Sequence, residues 1–110
     1  MAMPERTCVA FLGDGAFGMS GLDMETAVRA ELPITVVLLN NGIMATYPGG
    51  TPVAREQFGV THMTGDYAQI AMGMGAEGMR VSKASELAGA IQQATQLNKE
   101  GKTCLLYTSP

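Results

Sequence analysis

Residues 13–41 read GDGAFGMSGLDMETAVRAELPITVVLLNN, and the order of residue types in this stretch decides the fold. A glycine–acid–glycine turn at Gly13, Asp14 and Gly15 is followed by 24 residues and then by the pair Asn40 and Asn41. Ahead of the turn, residues 7–12 (TCVAFL) form a short apolar run stopped by Gly13, which predicts a buried strand. Ser20 followed by Asp23 matches a capping box with Asp in place of Glu, and predicts a helix from there to about residue 31. Met24, Ala27, Val28 and Glu31 share one face of it, the first three apolar, and Glu25 and Arg29 pair on the wet side. Pro33 stops the helix, and the continuous apolar run at 34–39 (ITVVLL) is typical of a parallel strand covered on both faces. Strand, crossover helix and strand make a right-handed βαβ unit. Asp14 and Asn41 then stand at the carboxyl ends of two successive strands, where ligands bind in open α/β sheets.

Outward from this unit the pattern continues. Residues 42–65 have no sustained period and carry Pro48, Gly49, Gly50 and Pro52, so they are expected to form a long loop bordering the site and serving as its lid. Asp66 caps a short helix at 67–74 ended by Gly75, and residues 78–81 are a third strand. Ser82 or Ser85 caps a helix running to about residue 98, with Leu87, Ala88, Ile91, Ala94 and Leu97 on one face. Residues 103–107 begin a fourth strand. The alternation predicts an α/β fold, a three-layer, doubly wound, mainly parallel sheet. Both ends read as cut: Met1, Ala2 and Met3 before Pro4 look like the tail of a helix, and no element follows the last strand.

Composition narrows the classes of function. The chain has 110 residues, enough for one small domain, and at 46% hydrophobic against 15% charged residues it is too apolar to be disordered. With aromatics at 5%, the nine methionines are expected to fill an aliphatic core. A net charge of -3 without a basic cluster argues against nucleic acid. No apolar run is long enough to span a membrane and no secretory leader is visible. Cys8 and Cys104 lie in strand-like runs and read as small core residues, in keeping with a reducing, cytoplasmic setting.

A carboxylate and a neutral amide oxygen side by side, with glycines that let backbone approach, suit a hard divalent cation holding a diphosphate. Asp14 supplies charge. Asn41 supplies an oxygen without adding charge, and the Ile43 backbone carbonyl completes the set if the chain turns sharply at Gly42. Gly15 and Ala16 offer backbone N–H groups to the diphosphate.

These residues closely resemble the paired motif of thiamine-diphosphate-dependent enzymes, GDG followed at this spacing by NN. The stretch from Gly13 to Gly42 looks like the diphosphate-binding domain of their acetolactate synthase-like branch, and the likeness runs from about residue 6 to residue 103. It implies a thiamine diphosphate and Mg²⁺ site, with the metal held by Asp14, Asn41 and the Ile43 carbonyl. Cofactor contacts are implied at Gly13, Asp14, Gly15, Ala16, Phe17, Asn41, Ile43 and Met44, with residues 44–63 bordering the active site. The implied activity is decarboxylation of a 2-oxo acid and transfer of the acyl anion, chemistry that belongs to the cofactor. The family's activating glutamate lies on a separate pyrimidine-binding domain of a neighbouring subunit, and the bulky residue that bends the cofactor lies upstream of GDG; nothing here matches either. No catalytic residue is therefore expected in this segment, which alone is expected to be inactive, the parent being a homodimer or homotetramer.

Within that chemistry, oxalyl-CoA decarboxylase, glyoxylate carboligase and sulfoacetaldehyde acetyltransferase are alternatives. From a different class, a Mg²⁺-binding receiver-like regulatory module needs clustered carboxylates and a later lysine, and Asp14 has no acidic neighbour in sequence. A dinucleotide site fails because Asn40 stands where the ribose-binding carboxylate belongs. His62 reads best as a solvent-facing loop residue, Arg55 as a solvated charge beside Glu56, and Tyr47 and Phe58 as loop anchors or channel residues. Residues 1–103 are read as the partial cofactor-binding domain. Residues 104–110 (CLLYTSP) resemble the translation of a transposon-type sequencing adapter and are expected to be a non-native tail, with Cys104 and Tyr107 without function; a genuine fourth strand is the alternative.

Overall fold

The computed structural model describes residues 3, 5–43, 52–59 and 62–108. Four strands, β1 (Cys8–Gly13), β2 (Ile34–Leu39), β3 (Glu77–Val81) and β4 (Cys104–Thr108), form one sheet in the order β1-β2-β4-β3. Every neighbouring pair is parallel. Helices α1 (Asp14–Ser20), α2 (Asp23–Arg29) and α4 (Tyr67–Gly73) cover one face, where Phe17, Met24, Tyr67, Ala68 and Ala71 pack on Val36, Leu38, Leu105 and Tyr107. A 3₁₀ turn (Ala84–Glu86) leads into α5 (Leu87–Lys99), which covers the other face over Val37, Val81 and Leu106. This is the three-layer α/β arrangement expected of the strand–helix alternation.

Several local expectations are corrected. The helix after the glycine turn begins at once, at Asp14, so Ser20 ends α1 and does not cap α2. Its hydroxyl instead donates back to the Ala16 carbonyl (3.4 Å), and Leu22, in helical conformation, occupies the N-cap of α2 without a side-chain bond. Neither Ser82 nor Ser85 caps α5: Lys83 precedes the 3₁₀ turn and Glu86 precedes the helix, both without a side-chain cap bond. Asp66 does cap α4, its carboxylate accepting the Gln69 N–H at 3.0 Å. Strand β1 is not buried. Among the described residues it is an edge strand with β2 as its one neighbour, α5 lies over the rest of the sheet, and Val9 and Phe11 remain 49% and 69% exposed. Cys8 is exposed with them, whereas Cys104 is buried. On α5 the buried positions are Ala94 and Asn98, with Leu87 and Ala90 packed on the cluster, while Ala88 is exposed and Ile91 looks over the uncovered part of the sheet.

Within 42–65, residues 52–58 are a helix, α3 (Pro52–Phe58), with no buried residue. Proline suits a first helical turn, where its missing N–H costs nothing, and the residues after it accept a helix. An exposed helix carries no apolar stripe, so periodicity does not reveal it.

Asn98 ties three elements together. Its amide nitrogen donates to the carbonyls of Ile34 (3.2 Å) and Lys102 (2.8 Å), and its oxygen accepts the Thr35 hydroxyl (2.7 Å). A buried amide is tolerated because it is satisfied, and no buried side-chain nitrogen or oxygen among the described residues lacks a partner.

Burial pushes the Cys104 thiol up from its ordinary value of 9.0 to about 11. Burial likewise raises the Tyr67 and Tyr107 hydroxyls. In the folded chain at neutral pH, iodoacetamide is expected to label Cys8 and spare Cys104 until denaturant is added. Between 9.0 and about 11 the unfolded chain has released a thiol proton that the folded chain still holds, so stability falls as pH rises through that window. Denaturation midpoints across the window check the sign.

Candidate functional site

Strands β1 and β2 run parallel with Gly13 opposite Leu39, so their carboxyl ends are level. The residues that follow, Asp14 on one side and Asn40 to Ile43 on the other, therefore emerge at the same edge of the sheet. Gly13 is extended (φ -80°, ψ 161°) and turns the chain directly into α1. The Asp14 side chain is held inside, 2% exposed.

Its two oxygens are placed by backbone donors. The Gly15 N–H donates to Asp14 Oδ1 at 3.0 Å, and the Gly42 N–H donates to Asp14 Oδ2 at 2.9 Å. The second bond joins the two halves of the motif across 28 positions of sequence. Gly42 adopts φ +73°, a left-handed conformation that favours glycine, so the expected sharp turn is there. The same Gly42 N–H also reaches Asn40 Oδ1 at 3.1 Å. Asn41 Oδ1 accepts the Ile43 N–H at 3.0 Å, and the Gly42 carbonyl accepts the Met63 N–H at 2.7 Å, closing the base of the segment between them.

Of the residues singled out in sequence, the structure thus gathers Gly13, Asp14, Gly15, Asn41 and Ile43 around one turn. The Gly15 N–H is already engaged by Asp14. Phe17 turns its ring into the core, 5% exposed, edge-on to Tyr67 at 5.7 Å and 88°. Met44 and Tyr47 lie outside the described residues. His62, Arg55 and Phe58 are exposed, Phe58 at 73%, so Phe58 does not anchor its segment.

Two roles beside the site were not read from the sequence, that of Asn40, named there only as half of the motif's pair, and that of Tyr67. Asn40 shares the Gly42 N–H, a role signalled only by the left-handed turn that follows two residues on. Tyr67 stacks between Phe17 and Tyr107, the latter ring 5.6 Å away, and lies near enough to Asp14 that the carboxylate charge adds to burial in raising its hydroxyl pKa.

The donor set fits a hard cation. One carboxylate, one amide oxygen and one backbone carbonyl are all oxygen donors carrying a single negative charge, leaving room for phosphate oxygens, as Mg²⁺ prefers. No group of three His, Cys, Asp or Glu among the described residues offers a competing metal site.

Comparison with known proteins identifies the family of the domain. The family model "Thiamine pyrophosphate enzyme, C-terminal TPP binding domain" matches residues 1–106, running past residue 103 into β4. Sulfoacetaldehyde acetyltransferase of Alcaligenes xylosoxydans xylosoxydans is 35% identical over 108 residues, 96% of this chain and 18% of its own length. Acetolactate synthase large subunit IlvG of Mycobacterium tuberculosis is 34% identical over 101 residues, 86% of this chain and 18% of its own. Among solved structures, the thiamine diphosphate-dependent 4-hydroxybenzoylformate decarboxylase of Rhodococcus jostii RHA1 superposes with a TM-score of 0.77 at 22% identity, covering 97% of this chain and 20% of that one. The chain spans about a fifth of the length of these proteins. With its family match over nearly all of its length, this chain belongs to the C-terminal TPP-binding domains of thiamine pyrophosphate enzymes.

Proposed function

We propose that this domain holds the diphosphate of thiamine diphosphate through Mg²⁺, with Asp14, Asn41 and the Ile43 carbonyl as protein ligands. The parent is then a larger 2-oxo acid decarboxylase or carboligase of the acetolactate synthase type. The observation that carries this is the 2.9 Å bond from the Gly42 N–H to the Asp14 carboxylate, which brings both halves of the motif to one turn. The bound cofactor would supply the carbanion chemistry on the 2-oxo acid. This chain's residues hold and orient its diphosphate end, from Gly13 through Ala16 on one side and from Asn41 through Met44 on the other. The likeness to sulfoacetaldehyde acetyltransferase, which extends over 96% of the chain, favours an acetyl-transferring parent as the second reading. Assembly as a homodimer or homotetramer, with the activating carboxylate supplied by another domain, and a cytoplasmic setting complete the proposal.

Calorimetric titration of the full-length parent tests it. Thiamine diphosphate with Mg²⁺ is expected to bind, and NAD or acetyl phosphate with Mg²⁺ is not. Binding of acetyl phosphate in preference would point to a receiver-like module instead. The isolated 110-residue chain is expected to show no turnover of 2-oxo acids.

A further inference from the structure

We propose that Asn40 is a positioning residue for the cation that holds the diphosphate, an inference that rests on the proposed function. The Gly42 N–H has two acceptors, Asp14 Oδ2 at 2.9 Å and Asn40 Oδ1 at 3.1 Å. In the absence of a cation, the ionised carboxylate is the stronger acceptor. A cation that draws on Asp14 withdraws electron density from that carboxylate and weakens its hold on the Gly42 N–H. The Gly42 N–H then leans on Asn40 Oδ1 as its hydrogen-bond acceptor, and the turn keeps its shape while the metal loads.

The turn matters because two of the proposed ligand oxygens lie on it. Gly42 sits at φ +73°, its carbonyl accepts the Met63 N–H at 2.7 Å, and the Ile43 N–H is held by Asn41 Oδ1 at 3.0 Å. The two remaining ligand oxygens, on the Asn41 side chain and the Ile43 carbonyl, are presented from this pinned stretch. Asn40 is half-buried at the end of β2, and its own N–H donates to Thr108 Oγ1 at 3.3 Å, which fixes where its side chain starts. An amide is also the right acceptor chemically. It accepts the hydrogen bond without placing a second fixed negative charge beside Asp14 and a diphosphate.

The test uses Mn²⁺ as the probe, titrated into the full-length parent at saturating thiamine diphosphate, with free Mn²⁺ read by electron paramagnetic resonance. Asn40→Ala and Asn40→Leu, which remove the acceptor, are expected to weaken Mn²⁺ binding by about tenfold, the scale of outer-shell substitutions at metal sites. Asn40→Ser restores an uncharged acceptor two residues from Gly42 and is expected to recover part of the loss. Thermal midpoints of the metal-free variants are expected to stay close to that of the parent. Native affinity in the Ala and Leu variants overturns the proposal, as does an Asn40→Ser variant that binds no more tightly than Asn40→Ala. Should Ala or Leu fail to fold, Asn40→Ser decides: affinity between those of the parent and Asp14→Asn supports the proposal, and a loss equal to that of Asp14→Asn overturns it. Asp14→Asn, run in parallel, separates the two levels. If it too keeps native affinity, the cation site itself is misassigned; if it alone loses Mn²⁺, only the role of Asn40 falls.

Discussion

Asp14→Asn in the full-length parent is expected to abolish Mg²⁺-dependent retention of thiamine diphosphate, lowering affinity by more than roughly 100-fold, beyond the scale of outer-shell losses. The substitution keeps the shape of the side chain and an acceptor for the Gly42 N–H, so the turn should survive. What it removes is the one negative charge in the donor set, together with the acceptor for the Gly15 N–H. Asp14→Ala should lose as much, with added damage because the Gly42 N–H, 2.9 Å from Oδ2, also loses its principal partner. Asn41→Ala removes a neutral oxygen and is expected to cost less, on the order of tenfold. Cofactor affinity measured with and without Mg²⁺ orders the three. Unchanged affinity in either Asp14 variant would falsify the assignment.

The second large effect is on stability and lies at Gly78 in β3. A Cβ there would press on the Ala68 carbonyl oxygen and stand 2.9 Å from both the carbonyl carbon and the Cα of Ala68. These are backbone atoms of α4 and cannot swing aside as a side-chain tip would. Gly78→Ala is therefore expected to destabilise the chain by about 3 kcal/mol, the upper end for overpacking. Its thermal midpoint should fall on the order of 10–20 °C. Gly89, inside α5, is the control: a Cβ there meets nothing within 4 Å. Gly89→Ala should leave the fold unharmed and add roughly 0.5–1 kcal/mol of stability, because alanine is the better helix former. Denaturant titrations of the two variants should move in opposite directions.

How much of this was legible in the residues differs from element to element, for physical reasons. The strand 34–39 was plain because a parallel strand covered on both faces has to be apolar at nearly every position, and Thr35, Val36, Val37 and Leu38 are all buried. β1 carries the same kind of run, yet it is exposed, because composition alone does not say which strand will stand at an edge. α1 was hidden by Gly15 and Gly18, poor helix formers; it forms nonetheless, with Phe17 buried against Tyr67. The site's spacing was readable because the crossover and the register fix which residues leave the sheet together. The sharing of one N–H between Asp14 and Asn40 was not, since it depends on a few tenths of an ångström. Asn98 looked like the end of a helix and is instead a junction of three elements, a role set by tertiary packing.

The strand order carries a consequence for how the molecule is made. Among the described residues β3 pairs only with β4, and β4 lies between β3 and β2. On the ribosome, β3 and α5 are complete before residues 104–108 exist, so until then β3 lacks the one strand it pairs with among the described residues, and both helical layers lack Leu105, Leu106 and Tyr107. The βαβ unit bearing Asp14 and Asn41 can assemble earlier, since β1 and β2 already face each other. Emergence of β4 is therefore expected to consolidate this part of the sheet, and a polypeptide stopped at residue 103 is expected to hold a nascent cofactor turn beside an unattached strand. Nascent chains stalled just before and just after β4 should accordingly differ sharply in their resistance to proteolysis.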